Sequence, residues 1–160
     1  MKSYFSDINK LSDHQNNATS YTYTNYEGDF IDGIRRGNDK MMPSFVGPEG
    51  GIYSTTRDLY TYFKAINNHT IVDKQTKELL HEKHAEIYPG KDESYHYGYG
   101  FSMSQQGGLS TIGHSGVFLG VGIRFEYYPK QDYSVIVLSN YGSIAGSVVA
   151  DHIKDLIEPK

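Results

Sequence analysis

Gly122-Ile123-Arg124-Phe125-Glu126-Tyr127, then Tyr128-Pro129-Lys130-Gln131-Asp132, then Tyr133-Ser134-Val135-Ile136-Val137-Leu138-Ser139, is the stretch whose pattern sets the fold class. The first run alternates apolar with small or charged residues. That period predicts a strand with one buried and one wet face. The middle run, with its proline and acid, reads as a turn. The last run is almost continuously apolar and rich in β-branched residues, which predicts a strand covered on both faces. Upstream, Leu109 to Gly116 gives another extended stretch, and Tyr97-Gly98-Tyr99-Gly100-Phe101 reads as a strand with glycine on one face. Downstream the period becomes helical, from about Ser143 to Ile157, with Val148, Val149, His152, Ile153 and Leu156 as the apolar stripe.

Further from this stretch the pattern is also helical. Thr55 followed by Asp58 resembles a capping box with a shorter acid. Leu59, Tyr62, Phe63 and Ile66 then fall at i, i+3, i+4 and i+7, and Asn67-Asn68 ends the helix. A second helix is predicted from Asp73 to about Lys83, anchored by Leu79 and Leu80. The first forty residues are polar. Asn16 to Ser20 and Gly37-Asn38-Asp39 read as loops, with a short half-exposed strand over Tyr21-Thr22-Tyr23-Thr24-Asn25-Tyr26 between them. The expected class is α+β: helices first, then an antiparallel sheet of three or four strands, then a helix packed back on it.

The chain has 160 residues, which at roughly 150 residues per domain predicts a single domain over 1–160. Its 15 Lys and Arg against 19 Asp and Glu give a net charge of -4, without the basic excess that nucleic-acid binding needs. At 38% hydrophobic and 21% charged residues it lacks the composition of a disordered chain. The absence of cysteine excludes a disulfide scaffold, a thiol nucleophile and a cysteine zinc site. The longest apolar runs are far shorter than a membrane span. Met1 to Asp7 holds no hydrophobic segment of the kind a signal peptide carries.

The chemistry-bearing candidates lie in an ordered series: Gly50-Gly51-Ile52-Tyr53-Ser54-Thr55-Thr56-Arg57-Asp58-Leu59, Tyr97-Gly98-Tyr99-Gly100-Phe101, His114-Ser115-Gly116, Tyr127-Tyr128-Pro129 and Val137-Leu138-Ser139-Asn140. In this order and spacing the series resembles the C-terminal part of serine β-lactamase and penicillin-binding-protein-like hydrolases, close to the class C β-lactamase and esterase branch. The resemblance is good over 42–157 and weaker over 1–41. It implies an incomplete β-lactamase/transpeptidase-like fold, the C-terminal portion of a longer hydrolase.

His114-Ser115-Gly116 resembles the H-x-G form of the family's third motif, on a strand that lines the substrate cleft. The resemblance assigns His114 and Ser115 to the cleft wall, Gly116 to a place where substrate lies close, and the backbone N–H of Val117 to the oxyanion hole. A donor of that kind is worth on the order of 3 kcal/mol in the transition state. Tyr97 and Tyr99 are candidate substrate-binding residues. The implied substrates are a β-lactam, a D-amino-acid peptide or an ester, without cofactor or metal, in a bacterial, cell-wall setting that is extracytoplasmic or membrane-associated.

The departure from the family pattern is as informative as the match. No serine has lysine three residues on, so the S-x-x-K nucleophile motif is absent. Ser54-Thr55-Thr56-Arg57 comes nearest, but arginine does not lose its proton near neutral pH. Tyr23-Thr24-Asn25 has the form of the middle motif on the wrong side for the family order. The isolated chain is therefore expected to be catalytically incomplete. A non-catalytic module holding a cell-wall peptide, a sugar or a protein partner is the alternative. Loss of the family's N-terminal elements also predicts self-association or swapping. Two further groupings carry bland readings. His81 and His84 stand at i and i+3 without the H-E-x-x-H pattern, and read as solvated helix residues rather than zinc ligands. His152 reads as a buried histidine of the last helix.

Overall fold

The structure is a computed structural model that describes residues 4–5, 17–24, 33–38, 47–90, 93–142 and 144–157. Four two-residue strands come first: β1 (Tyr4–Phe5), β2 (Tyr21–Thr22), β3 (Arg36–Gly37) and β4 (Ile52–Tyr53). Two helices follow, α1 (Thr56–Asn67) and α2 (Lys74–Leu80). Then come β5 (Ala85–Pro89), β6 (Glu93–Tyr97), β7 (Ser102–Gln106), β8 (Leu109–Phe118), β9 (Val121–Tyr128) and β10 (Tyr133–Ser139), and finally α3 (Ala145–Ile157). The last six strands form one antiparallel sheet in the order β10-β9-β8-β7-β6-β5. β1 pairs with β4 and β2 with β3. The class is α+β as expected, with six strands in the sheet rather than three or four.

α1 and α2 start where their capping chemistry says. Thr55 Oγ1 accepts the Asp58 N–H at 3.1 Å, and Asp73 Oδ1 accepts the Thr76 N–H at 2.7 Å. α1 buries Phe63 and Ile66 but leaves Tyr62 exposed. α2 ends at Leu80, short of Lys83. Leu80 packs inward while Leu79 faces solvent, so the second helix has one anchor rather than two.

The sheet lies between two apolar layers. On one face Phe63 and Ile66 of α1 meet Phe101, Met103, Ile112, Phe125 and Tyr127. On the other, Ala150, Ile153 and Ile157 of α3 meet Leu109, Tyr128, Val135 and Val137. β9 is thus covered on both faces, which corrects the expected wet face. Its polar residues are neutralised in place: Arg124 Nε lies 2.9 Å from Glu126 Oε1, and its Nη2 3.5 Å from Asp151 Oδ1. α3 uses a different stripe from the one expected. Gly146, Ala150, Ile153 and Ile157 face the sheet, while Val148, Val149, His152 and Leu156 are exposed. The small Gly146 and Ala150 allow close approach: a Cβ on Gly146 would lie 2.5 Å from the Gly122 carbonyl oxygen.

Tyr97 to Phe101 is not one strand. Tyr97 closes β6, the Gly98 N–H donates to the Phe101 carbonyl at 2.7 Å, and Phe101 turns into the core before β7 begins. The loop predicted at Gly37-Asn38 is instead a docking point. Asn38 is fully buried, with its side-chain amide donating to the Leu119 carbonyl, and Asn140 Nδ2 donates to the Thr19 carbonyl at 2.7 Å. These bonds tie β2 and β3 to the β8–β9 turn and the end of β10. Asn16, Asn25, Tyr26 and Asp39 of the expected strand and loops lie outside the described residues. Among the described residues no helix is long and apolar enough to cross a membrane.

Candidate active site

β8 changes character at Gly113. β8 pairs with β7 from Leu109 to Gly113 and with β9 from Ile112 to Phe118, so Ile112 and Gly113 are flanked on both sides, and Gly113 pairs with both Ser102 and Glu126. A Cβ there would stand 1.9 Å from the Phe125 carbonyl oxygen, so only glycine allows β9 this close. Ser102 Oγ closes the end of β7 by donating to the Gly113 carbonyl at 3.0 Å. Beyond this point β8 continues against β9 alone. Over 114–117 no strand among the described residues pairs with its other side.

His114 is the first residue of this open stretch and is exposed. It pairs with Phe125, two residues beyond Ile112, and so projects from the sheet face that α1 covers further along. Its Nδ1 lies 2.6 Å from the Ser115 carbonyl oxygen, and its Nε2 2.8 Å from the Tyr97 hydroxyl. The two rings meet edge-on at 5.7 Å and 75°. Strand alternation turns the half-buried Ser115 side chain to the opposite face from His114. A Cβ on Gly116 would come within 3.0 Å of the Ile123 side chain, so this glycine also serves contact with β9. Val117 is 66% exposed.

Tyr97 is therefore joined to His114, whereas Tyr99 is held elsewhere. Its ring packs on His84 at 4.1 Å, and His84 Nε2 contacts the Leu79 carbonyl at 2.9 Å. His81 is committed to packing, edge-on to Phe101 at 4.8 Å. Burial, and then the charge of Lys77, lower its pKa. Among the described residues no three His, Asp or Glu side chains gather to hold a metal. A separate open groove of about 660 Å³ runs between α1 and the β9–β10 hairpin, past Tyr60, Lys64, Tyr127 and Tyr133, and does not include His114. The contacts that sequence reasoning missed are the Tyr97–His114 bond and the Ser102 clasp. Both join residues more than ten positions apart, which no local pattern reports.

An antiparallel sheet covered by helices is the framework that this chain shares with penicillin-binding proteins of known structure. The model of the Beta-lactamase family matches residues 10–157, and the chain belongs to that family. The penicillin-binding protein from Bacillus halodurans is similar in structure, with a TM-score of 0.72 and 26% identity, over 87% of this chain and 40% of that one. The octameric penicillin-binding protein homologue from Pyrococcus abyssi shares the fold, with a TM-score of 0.75 and 23% identity, over 97% of this chain and 33% of that one. The chain thus spans well under half the length of either. No curated protein matches it significantly.

Proposed function

We propose that this chain supplies the strand wall of an acyl-transfer cleft in a β-lactamase-related serine hydrolase. Its substrate class is a β-lactam, a D-alanyl-D-alanine peptide or an ester. One observation carries the reading: β8 presents His114 and, among the described residues, an unpaired edge over 114–117, next to the point where the pairing with β7 ends. An extended acyl substrate can lie along such an edge as an added strand, with main-chain hydrogen bonds giving affinity. The Val117 N–H is then the oxyanion donor, and Ser115, whose side chain points away from His114, contributes through its backbone.

The attacking serine and its base come from outside this sequence, because no serine here has lysine three residues on. The chain alone binds without acylating. Incubation with a fluorescent penicillin and with an activated ester is expected to give no covalent adduct and no turnover. Stoichiometric labelling of one serine would overturn this. In this reading the protein works outside the cytoplasm, where such substrates occur.

A further inference from the structure

We propose that Tyr97 is a positioning residue for His114, fixing its imidazole as the Nδ1–H tautomer with Nε2 taken up by the tyrosine hydroxyl. The role in the cleft rests on the function proposed above; the tautomer does not. The chemistry of the two contacts decides it. The partner of Nδ1 is the Ser115 carbonyl oxygen at 2.6 Å, which can only accept, so Nδ1 carries the proton. In the neutral ring Nε2 is then an acceptor, and its partner at 2.8 Å, the Tyr97 hydroxyl, is the donor.

The fold builds this bond from both sides. β7 pairing ends at Ser102–Gly113, one residue short of His114, so no β7 residue pairs with His114 where Tyr97 reaches it. Gly98, directly after Tyr97, is pinned: a Cβ there would lie 2.4 Å from the Leu80 carbonyl oxygen, and its N–H is bonded to Phe101. The end of β6 is thereby fixed against α2, and Tyr97 with it.

A consequence for recognition follows. Neutral His114 has no nitrogen left for a substrate carboxylate. The free capacity of the pair lies on the Tyr97 oxygen, whose lone pairs accept. The pair therefore favours an acyl substrate that brings an N–H or O–H to this point.

The test uses the chain labelled with ¹⁵N at histidine, near pH 8, where an ordinary imidazole is neutral. Long-range proton–nitrogen correlation spectra report each tautomer, and His114→Gln assigns the signal. The expected result is His114 as Nδ1–H. In Tyr97→Phe, a population of the Nε2–H form is expected to appear, with the other histidine signals unmoved. An Nε2–H tautomer in the unmodified chain overturns the proposal, as does a Tyr97→Phe spectrum in which both His114 nitrogen shifts are unchanged. The unmodified chain decides the tautomer even if Tyr97→Phe does not fold. No substrate is needed, so failure of the proposed hydrolase function would show in ligand experiments and leave this readout standing.

Discussion

Two glycines three residues apart on β8 face different neighbours, and that difference is measurable. At Gly113 the added Cβ meets backbone, the Phe125 carbonyl at 1.9 Å; at Gly116 it meets the Ile123 side chain at 3.0 Å. A side chain can rotate away, whereas a paired strand has to shift. Gly113→Ala is expected to cost about 1–3 kcal/mol or more, the range of overpacked cores, and Gly116→Ala clearly less. Urea denaturation of the two variants checks the order, and equal tolerance would contradict it. His81 gives a second prediction at this scale. Its Nε2 is buried and has no hydrogen-bond partner among the described residues, and burial lowers its pKa below the usual 6.5. The unfolded chain therefore binds the proton more readily than the folded one. Stability is full above about pH 6.5 and falls as pH drops from there toward the folded value. His81→Phe is expected to flatten that part of the stability–pH curve. An unchanged slope between about pH 5 and 7 would count against the assignment.

Caps decide the helices at the next scale. Thr55→Ala removes the acceptor for the Asp58 N–H and is expected to cost about 1 kcal/mol, with Thr55→Ser largely restoring it. Thermal unfolding followed by circular dichroism checks this, and a Thr55→Ala chain as stable as the parent would refute the cap. The same local chemistry made α1, the start of α2, β8, β9 and β10 readable from sequence, since caps, turns and period-2 runs are short-range signals. Elements set by long-range contact were not readable. β5 is exposed along its whole length and carries no alternation to read. Tyr97 to Phe101 alternates aromatic with glycine as a strand would, yet Phe101 is drawn into the core against Phe63 at 6.1 Å and makes the stretch a turn. The apolar period points to Val148, Val149, His152, Ile153 and Leu156 as the buried stripe of α3, but the sheet takes Gly146 and Ala150, with Gly122 close beneath Gly146. For the candidate site, the motif points to His114, Ser115, Gly116 and Val117. It could not reach the Tyr97–His114 bond, which spans the β6–β7 turn and the whole of β7.

At the scale of the whole molecule, the six-stranded sheet has two edges of unlike character. β5 is protected: it contains Glu86 and Pro89, and its pairing with β6 is irregular between Glu86 and Tyr88. β10 is not. Tyr133 to Ser139 carries no charge and no proline, and among the described residues no strand pairs with its outer side. Beside it α3 exposes Val148 at 44%, Val149 at 48% and Leu156 at 85%. An unprotected edge flanked by apolar surface favours strand addition from another chain. The chain is therefore expected to self-associate through β10 rather than β5. Light scattering coupled to size exclusion should give a mass above 18.1 kDa that rises with concentration. Leu138→Lys combined with Leu156→Glu, which charges the edge and the helix face, should lower that mass. A charged β5 control, Ile87→Lys, should leave it unchanged. A monodisperse 18.1 kDa particle at high concentration, or equal sensitivity to both changes, would show that the β10 edge is not the contact.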